Sequence, residues 1–158
     1  MVKLEAGFKL FQPWASEVAN GKLNFLVRST STIKRGRVAI IATSGIDGIW
    51  AMESKNTEID KIAKKVGIIG SVEIKNCIEV KPNTQSKIKD VLIKLGGNKY
   101  WQYYPKYLIP KIEKTGKVYI WILNKSKAWK KPIPTYGGGI LWTKINLKDK
   151  KWFAKSIV

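Results

Sequence analysis

The side chains of this sequence that could do chemistry are cations set among aromatic rings, and they fall into two groups. The first group lies between residues 14 and 50 and consists of Trp14, Lys22, Asn24, Arg28, Lys34, Arg35, Arg37, Ser44 and Trp50. The second group consists of Lys127, Trp129, Lys130 and Lys131. Aromatic faces stack on bases and cations contact phosphates, so both groups predict a surface that binds nucleic acid.

Each group also has a structural interpretation, and both interpretations stay open at this stage. Trp14 is suited to hold a short helix against the core, and Arg28 to form an ion pair with Glu17. In the second group, a solvated loop with Trp129 buried explains the same residues. Pro13 begins the predicted helix, whose first N–H groups and positive dipole end predict an anion site.

The overall charge favours a polyanionic partner. The 158-residue chain has a net charge of +19 with 11 acidic residues, and its only arginines are Arg28, Arg35 and Arg37. A charge of this size implies nucleic acid or an acidic membrane surface, although a lysine-rich proteome is an alternative explanation. Because lysine is a flexible point charge, we expect backbone contacts with little base specificity and an affinity that falls steeply with salt.

The residue types that the chain lacks limit its chemistry. Without histidine, the common zinc sites and Ser-His-Asp catalysis are excluded. Cys77 is the single cysteine, so no internal disulfide forms, and its apolar neighbours predict a buried structural thiol. Carboxylates are sparse, and Glu58 with Asp60 is a poor metal signal. We therefore expect no cofactor, no metal site and no catalytic residue, with Lys22 as a weak candidate.

Hydrophobic periodicity and Gly/Pro turns predict an α+β fold in a single domain of residues 1–158. The predicted strands are 6–12, 24–29, 37–44, 67–81 (or a hairpin-like pair), 117–124 and 139–147. The predicted helices are 13–20, 55–65 and 84–95, and Gly21 ends the first of them. The remaining predicted segments are an aromatic-rich insertion at 99–112, a Lys/Pro-rich loop at 125–136 and a basic tail at 147–158. Short strands around a small barrel fit this order.

Four motifs follow one another along residues 6–146. They are Gln12-Pro13-Trp14 after an apolar strand, Gly21 with Arg28, the turn Arg35-Gly36, and a closing strand pair around Gly137-Gly138-Gly139. In this order they resemble the ASCH family of the PUA-like superfamily, small β-barrels that handle RNA or modified bases. The resemblance implies a small PUA-like β-barrel with short flanking helices.

The sequence departs from the family at the positions where the resemblance would place chemistry. Leu23 occupies the family's lysine position, and Leu26 occupies the acidic position, which is threonine in members that look like acetylated-cytidine amidohydrolases. Leucine can neither activate a nucleophile nor act as one. A ribonuclease or a modified-nucleoside amidohydrolase on the same fold stays an alternative, with Lys22 replacing the missing lysine or stabilising phosphate charge.

The function predicted from the sequence is binding of RNA or single-stranded DNA in a basic cleft with aromatic stacking, largely without sequence specificity. A third possibility is a protein partner that contacts the aromatic cluster Tyr100, Trp101, Tyr103 and Tyr104. No stretch approaches the ~20 apolar residues of a membrane span, and no targeting segment is evident. We therefore expect a cytoplasmic protein.

Overall fold

Strands dominate the part of the chain that the computed structural model describes, which is residues 4–46, 66–81, 94, 117–134 and 142–145. The elements are β1 Ala6–Gln12, α1 Trp14–Ala19, β2 Phe25–Arg28, β3 Gly36–Ile46, β4 Gly67–Val80, β5 Val118–Ile133 and β6 Thr143–Lys144. The strands form a six-stranded sheet in the order β2-β5-β4-β3-β1-β6. Within the described ranges, no helix is long and apolar enough to cross a membrane.

The predicted strands 6–12, 24–29 and 37–44 and the predicted helix 13–20 are confirmed to within a few residues. The range 67–81 forms one long strand rather than a hairpin, and only residues 143–144 of the predicted final strand are extended. The predicted helix 55–65 and the ranges 99–112 and 147–158 lie outside the described residues. Of the predicted helix 84–95, only Lys94 is described, and it is helical.

The segment 125–136, predicted as a loop, is the main correction, because β5 continues through it as far as Ile133. Lysines and a proline suggested a loop, yet both are tolerated in a strand that has a neighbour on one side. β2 pairs with the first half of β5, from Tyr119 to Ile122. Residue propensities alone therefore predicted a loop where the structure has a strand.

The chain divides into two compact units. Among the described residues, the first unit holds 4–22, 36–46, 66–73, 125–134 and 142–145, and the second holds 23–35, 74–81, 94 and 117–124. β4 and β5 each run through both units. The single domain expected for residues 1–158 stays a prediction.

β3 is the central strand of the first unit, as its sequence predicts. Val38 to Ala42 is an unbroken apolar run, and all of its side chains are buried, which requires cover on both faces of the strand. β1 pairs with β3 in parallel, with Gly7 opposite Ala39. A buried apolar cluster, against which Trp129 packs, is formed by Leu4, Ala39, Ile41, Ile68, Ile133 and Ile145.

Gly21 ends α1 through its backbone conformation, a φ of 76°. The N–H of Gly21 donates to the carbonyl of Val18 at 3.1 Å, and the N–H of Lys22 donates to the carbonyl of Glu17 at 2.9 Å. These two bonds form a Schellman motif, which needs a left-handed residue just past the helix. A Cβ at residue 21 would also lie 3.0 Å from Ser126 Oγ.

We expect Gly21→Ala to lower the free energy of unfolding by about 1–2 kcal/mol, because alanine is strained at positive φ. Urea unfolding followed by circular dichroism measures the change. Asn20→Ala is the matched control, since Asn20 is exposed and has a φ of −84°. Equal destabilisation by the two substitutions would contradict the assigned role of Gly21.

Trp121 is a buried residue of the second unit. β2 and β5 pair in antiparallel fashion, with Leu26 opposite Trp121. Trp121 is fully buried, and its indole N–H donates to the carbonyl of Thr30 at 2.9 Å. The polar atom of this large ring therefore has a partner inside the protein, as a buried tryptophan requires.

Candidate nucleic-acid interface

The motif Gln12-Pro13-Trp14 joins β1 to α1 and is buried. Gln12 is fully buried and Trp14 is 7% exposed, so the Trp14 ring lies in the core and agrees with the structural interpretation. Gln12 Oε1 accepts the N–H of Ser16 at 3.1 Å, and the N–H of Glu17 donates to the carbonyl of Pro13 at 3.0 Å. The short helix α1 therefore gives no support to the anion site predicted at its start.

Arg37 crosslinks three neighbouring strands of the first unit. From β3, its Nη1 donates to Ser71 Oγ on β4 at 2.8 Å, and its Nη2 donates to the carbonyl of Lys125 on β5 at 2.9 Å. The same guanidinium lies 3.7 Å from Glu73 Oε1, and Lys125 Nζ lies 3.7 Å from Glu73 Oε2. With its side chain 10% exposed, Arg37 has the partners of a structural residue.

Lys125 occupies an unusual backbone conformation at the centre of this network. Its φ is 50°, a left-handed conformation that a residue other than glycine seldom adopts. β5 continues through this residue, and the Lys125 carbonyl accepts a hydrogen bond from Arg37 Nη2. Strain of this kind persists where surrounding contacts hold it, and Arg37 and Glu73 supply those contacts here.

We expect Arg37→Met to lower the free energy of unfolding by about 2–3 kcal/mol, because it leaves Ser71, Glu73 and the Lys125 carbonyl without the guanidinium. Chemical denaturation measures the loss. Arg37→Lys should recover only part of it, since one ammonium cannot reproduce a planar fork. A stable Arg37→Met variant whose salt dependence of nucleic-acid binding falls by about one unit would place Arg37 in the interface instead.

In the second unit, Arg28 lies over the ring of Trp121, with its Cζ 4.9 Å from the ring centroid. This cation–π contact fixes a half-buried guanidinium beside the β2–β3 loop. Arg35 and Lys34 lie on the same loop, and Arg35 is exposed. The sequence analysis predicted the strand 117–124 but did not name Trp121 as a partner of Arg28. The apolar pattern of residues 118–123, which indicates a buried strand, was the available signal.

The later half of β5 presents its lysines to solvent. Lys127, Lys130 and Lys131 are exposed, while Trp129 is half-buried and packs on the apolar cluster of the first unit. The ammonium groups of the three lysines are therefore available to an anion. Part of the Trp129 ring is covered by the apolar cluster. Gly70 allows this part of β5 to approach closely, because a Cβ there would collide with the carbonyl of Lys127.

The remaining predicted site residues are placed as follows. Lys22 and Asn24 are exposed, in the first and second units respectively. Ser44 lies on β3, and its side chain is outside the described part of the structure, as are Trp50 and the aromatic cluster Tyr100, Trp101, Tyr103 and Tyr104.

The two leucines at which the sequence departs from the resembled motif belong to the core. Leu23 and Leu26 are each 1% exposed, so the apolar side chains there have a structural reason. Among the described residues, no group of three His, Cys, Asp or Glu side chains could hold a metal ion. Cys77 is half-buried, which corrects the prediction of a buried thiol, since alternation along β4 weakens near its end.

Comparison with known proteins identifies the fold. No protein-family model matches the sequence, and no curated protein matches it. The crystal structure of ASCH from Zymomonas mobilis has a TM-score of 0.57 and 14% identity, covering 96% of this chain and 92% of that chain. Two mutant forms of the Zymomonas mobilis protein give TM-scores of 0.57 and 0.56 at 14% identity; the matches cover 95% and 96% of this chain and 94% and 97% of theirs.

These matches show a small β-barrel fold with a short helix, which confirms the predicted fold class. More specifically, the chain has the fold of an ASCH domain. The order of motifs from Gln12-Pro13-Trp14 to Arg35-Gly36 therefore predicted the fold correctly. At 14% identity the similarity concerns the fold alone.

Proposed function

We propose that this protein binds RNA or single-stranded DNA, mainly through phosphate contacts and with little sequence specificity. The observation that carries the proposal is the exposed lysine strip, which we define as Lys127, Lys130 and Lys131 on β5. Residues 125–134 contain no acidic side chain, and the whole chain has a net charge of +19. A surface of this kind attracts a polyanion and releases its counterions on binding.

The spacing of the lysine strip suits a single strand. A β-strand rises ~3.3 Å per residue, so Lys127 and Lys131 are separated by roughly 13 Å along β5. A nucleic-acid strand advances about 3.4 Å per phosphate along a duplex axis, and it extends further when unpaired. Because side chains alternate along a strand, Lys127 and Lys131 share one face of β5 and Lys130 falls on the other. The pair Lys127 and Lys131 therefore matches a run of two to four phosphates, and flexible ammonium groups tolerate variation in that spacing.

Protection of a strand edge is the competing explanation for the same lysines. Exposed strand edges often carry lysine because the charge prevents pairing with another chain. That role needs one or two charges and predicts no particular ligand. The two explanations differ in a measurable way, because only the binding role gives affinity for nucleic acid that depends on these three side chains.

A binding panel tests the proposal. Fluorescently labelled single-stranded and double-stranded RNA and DNA of one sequence are titrated with the protein at low salt, and the same samples are run on a denaturing gel. We expect micromolar or tighter binding to the single strands, with the nucleic acid intact. No binding to any of the four ligands would contradict the proposal. A complex between this chain and another protein that survives high salt would favour the protein-partner alternative.

The gel also tests the ribonuclease alternative. Lys22 is exposed just after α1, so Lys22→Ala should leave the fold unchanged. Cleavage that disappears in Lys22→Ala would favour the enzyme over the binding protein. The burial of Leu23 and Leu26 supports the binding proposal over an amidohydrolase, because neither position offers a titratable group.

A further inference from the structure

The loop between β2 and β3 holds an isoleucine out in solvent. Ile33 is 98% exposed, whereas its neighbour Thr32 is 7% exposed. A single exposed isoleucine is common on protein surfaces and by itself indicates nothing. Ile33 differs because its neighbours Thr32 and Lys34 are held by hydrogen bonds and because two cations, Lys34 and Arg35, follow it directly.

Hydrogen bonds fix the backbone on both sides of Ile33. Thr32 Oγ1 accepts the N–H of Lys34 at 3.1 Å. Arg35 Nη1 donates to the carbonyl of Thr32 at 3.0 Å and to that of Lys34 at 2.9 Å. A β-branched side chain on a fixed backbone has few rotamers, so little conformational entropy is lost when Ile33 contacts a ligand.

The charged residues close to Ile33 in the sequence are all positive. No Asp or Glu occurs from residue 18 to residue 46, and the three arginines of the chain, at positions 28, 35 and 37, all lie in this range. A guanidinium carries five N–H donors. With Nη1 occupied by the two carbonyls, the exposed Arg35 keeps Nε and Nη2 for a phosphate oxygen.

We infer that Ile33 acts as an apolar wedge that packs against the face of an unstacked base, while Arg35 holds a phosphate of the same strand. The inference rests on the proposed function and adds to it a second site, formed by residues of the second unit. Apolar wedges between base steps are an established device of nucleic-acid-binding proteins. A single strand suits it best, because unstacking a base there costs little.

A fluorescent base tests the wedge. A single-stranded oligonucleotide with 2-aminopurine at one position reports unstacking, because the emission of 2-aminopurine rises when its neighbours leave it. Binding of the parent protein should raise the emission. Ile33→Ala should abolish the rise and weaken binding by about fivefold, with no change in the salt dependence. Its thermal unfolding should match that of the parent, because Ile33 is 98% exposed.

Two controls separate the possible failures. Val66→Ala removes another exposed apolar side chain, 44% exposed in the first unit, and should leave emission and affinity unchanged. If Ile33→Ala also binds and fluoresces like the parent while loss of the lysine strip weakens binding, the wedge is wrong and the proposed function stands. If the parent protein binds no oligonucleotide at low salt, the proposed function and the wedge both fail.

Discussion

Replacing Lys127, Lys130 and Lys131 together with glutamine should weaken binding to a single-stranded oligonucleotide by on the order of a hundredfold at 0.1 M salt. Each phosphate contact on a single strand contributes about 0.7 to the slope of log K against log salt, or roughly fivefold in affinity at that concentration. The three lysines are exposed on β5, so their loss should reduce the slope by about 2 and leave the fold intact. Equilibrium titration by fluorescence anisotropy measures both quantities.

A control with equal charge shows whether position matters. Lys75, Lys81 and Lys94 are also exposed, and they belong to the second unit. Changing these three to glutamine removes the same charge from the net +19 and should weaken binding much less. Equal losses from the two triple variants would show that net charge, rather than the lysine strip, governs the affinity.

Gly70→Ala should strongly destabilise the first unit, lowering the free energy of unfolding by about 3 kcal/mol. A Cβ at residue 70 would collide with the carbonyl of Lys127 and lie 3.3 Å from the Cα of Ala128. Both atoms belong to the backbone of β5, so relief requires movement of the whole segment. Because that segment carries the lysine strip, we also expect weaker binding.

Gly36→Ala is the matched control for this prediction. Gly36 has a φ of 88°, yet a Cβ there would meet nothing within 4 Å, so the substitution adds backbone strain alone and should cost about 1 kcal/mol. Denaturant unfolding of both variants compares the two causes. A Gly70→Ala variant as stable as the parent would show that β5 does not lie against β4 at this point.

The sequence predicted the strands whose pattern is local. The apolar run Val38–Ala42 fixed a buried central strand, and Gly21 marked the end of α1, because each signal lies within a few residues. The later half of β5 was missed for the opposite reason. Lys125 at φ 50° and the close approach at Gly70 depend on residues more than 50 positions apart, which no local pattern contains.

For the candidate site, too, the sequence predicted the exposed lysines but not the structural contacts of Trp14 and Arg37. Exposure of Lys127, Lys130 and Lys131 follows from their charge, and the structure agrees. Trp14 and Arg37, by contrast, resembled ligand-binding groups when read singly. The core covers Trp14, and Arg37 meets Ser71 and Glu73, contacts that arise only when β3 and β4 come together.

The salt dependence of equilibrium binding to a single-stranded oligonucleotide decides whether phosphate contacts drive the interaction. Anisotropy titrations of the parent protein between 50 and 200 mM salt give the slope of log K against log salt. Contact by the three lysines of the strip predicts a slope steeper than about −2, a loss of roughly sixteenfold or more over that range. A flat slope, or no binding at the lowest salt, would contradict electrostatic recognition of nucleic acid by this protein.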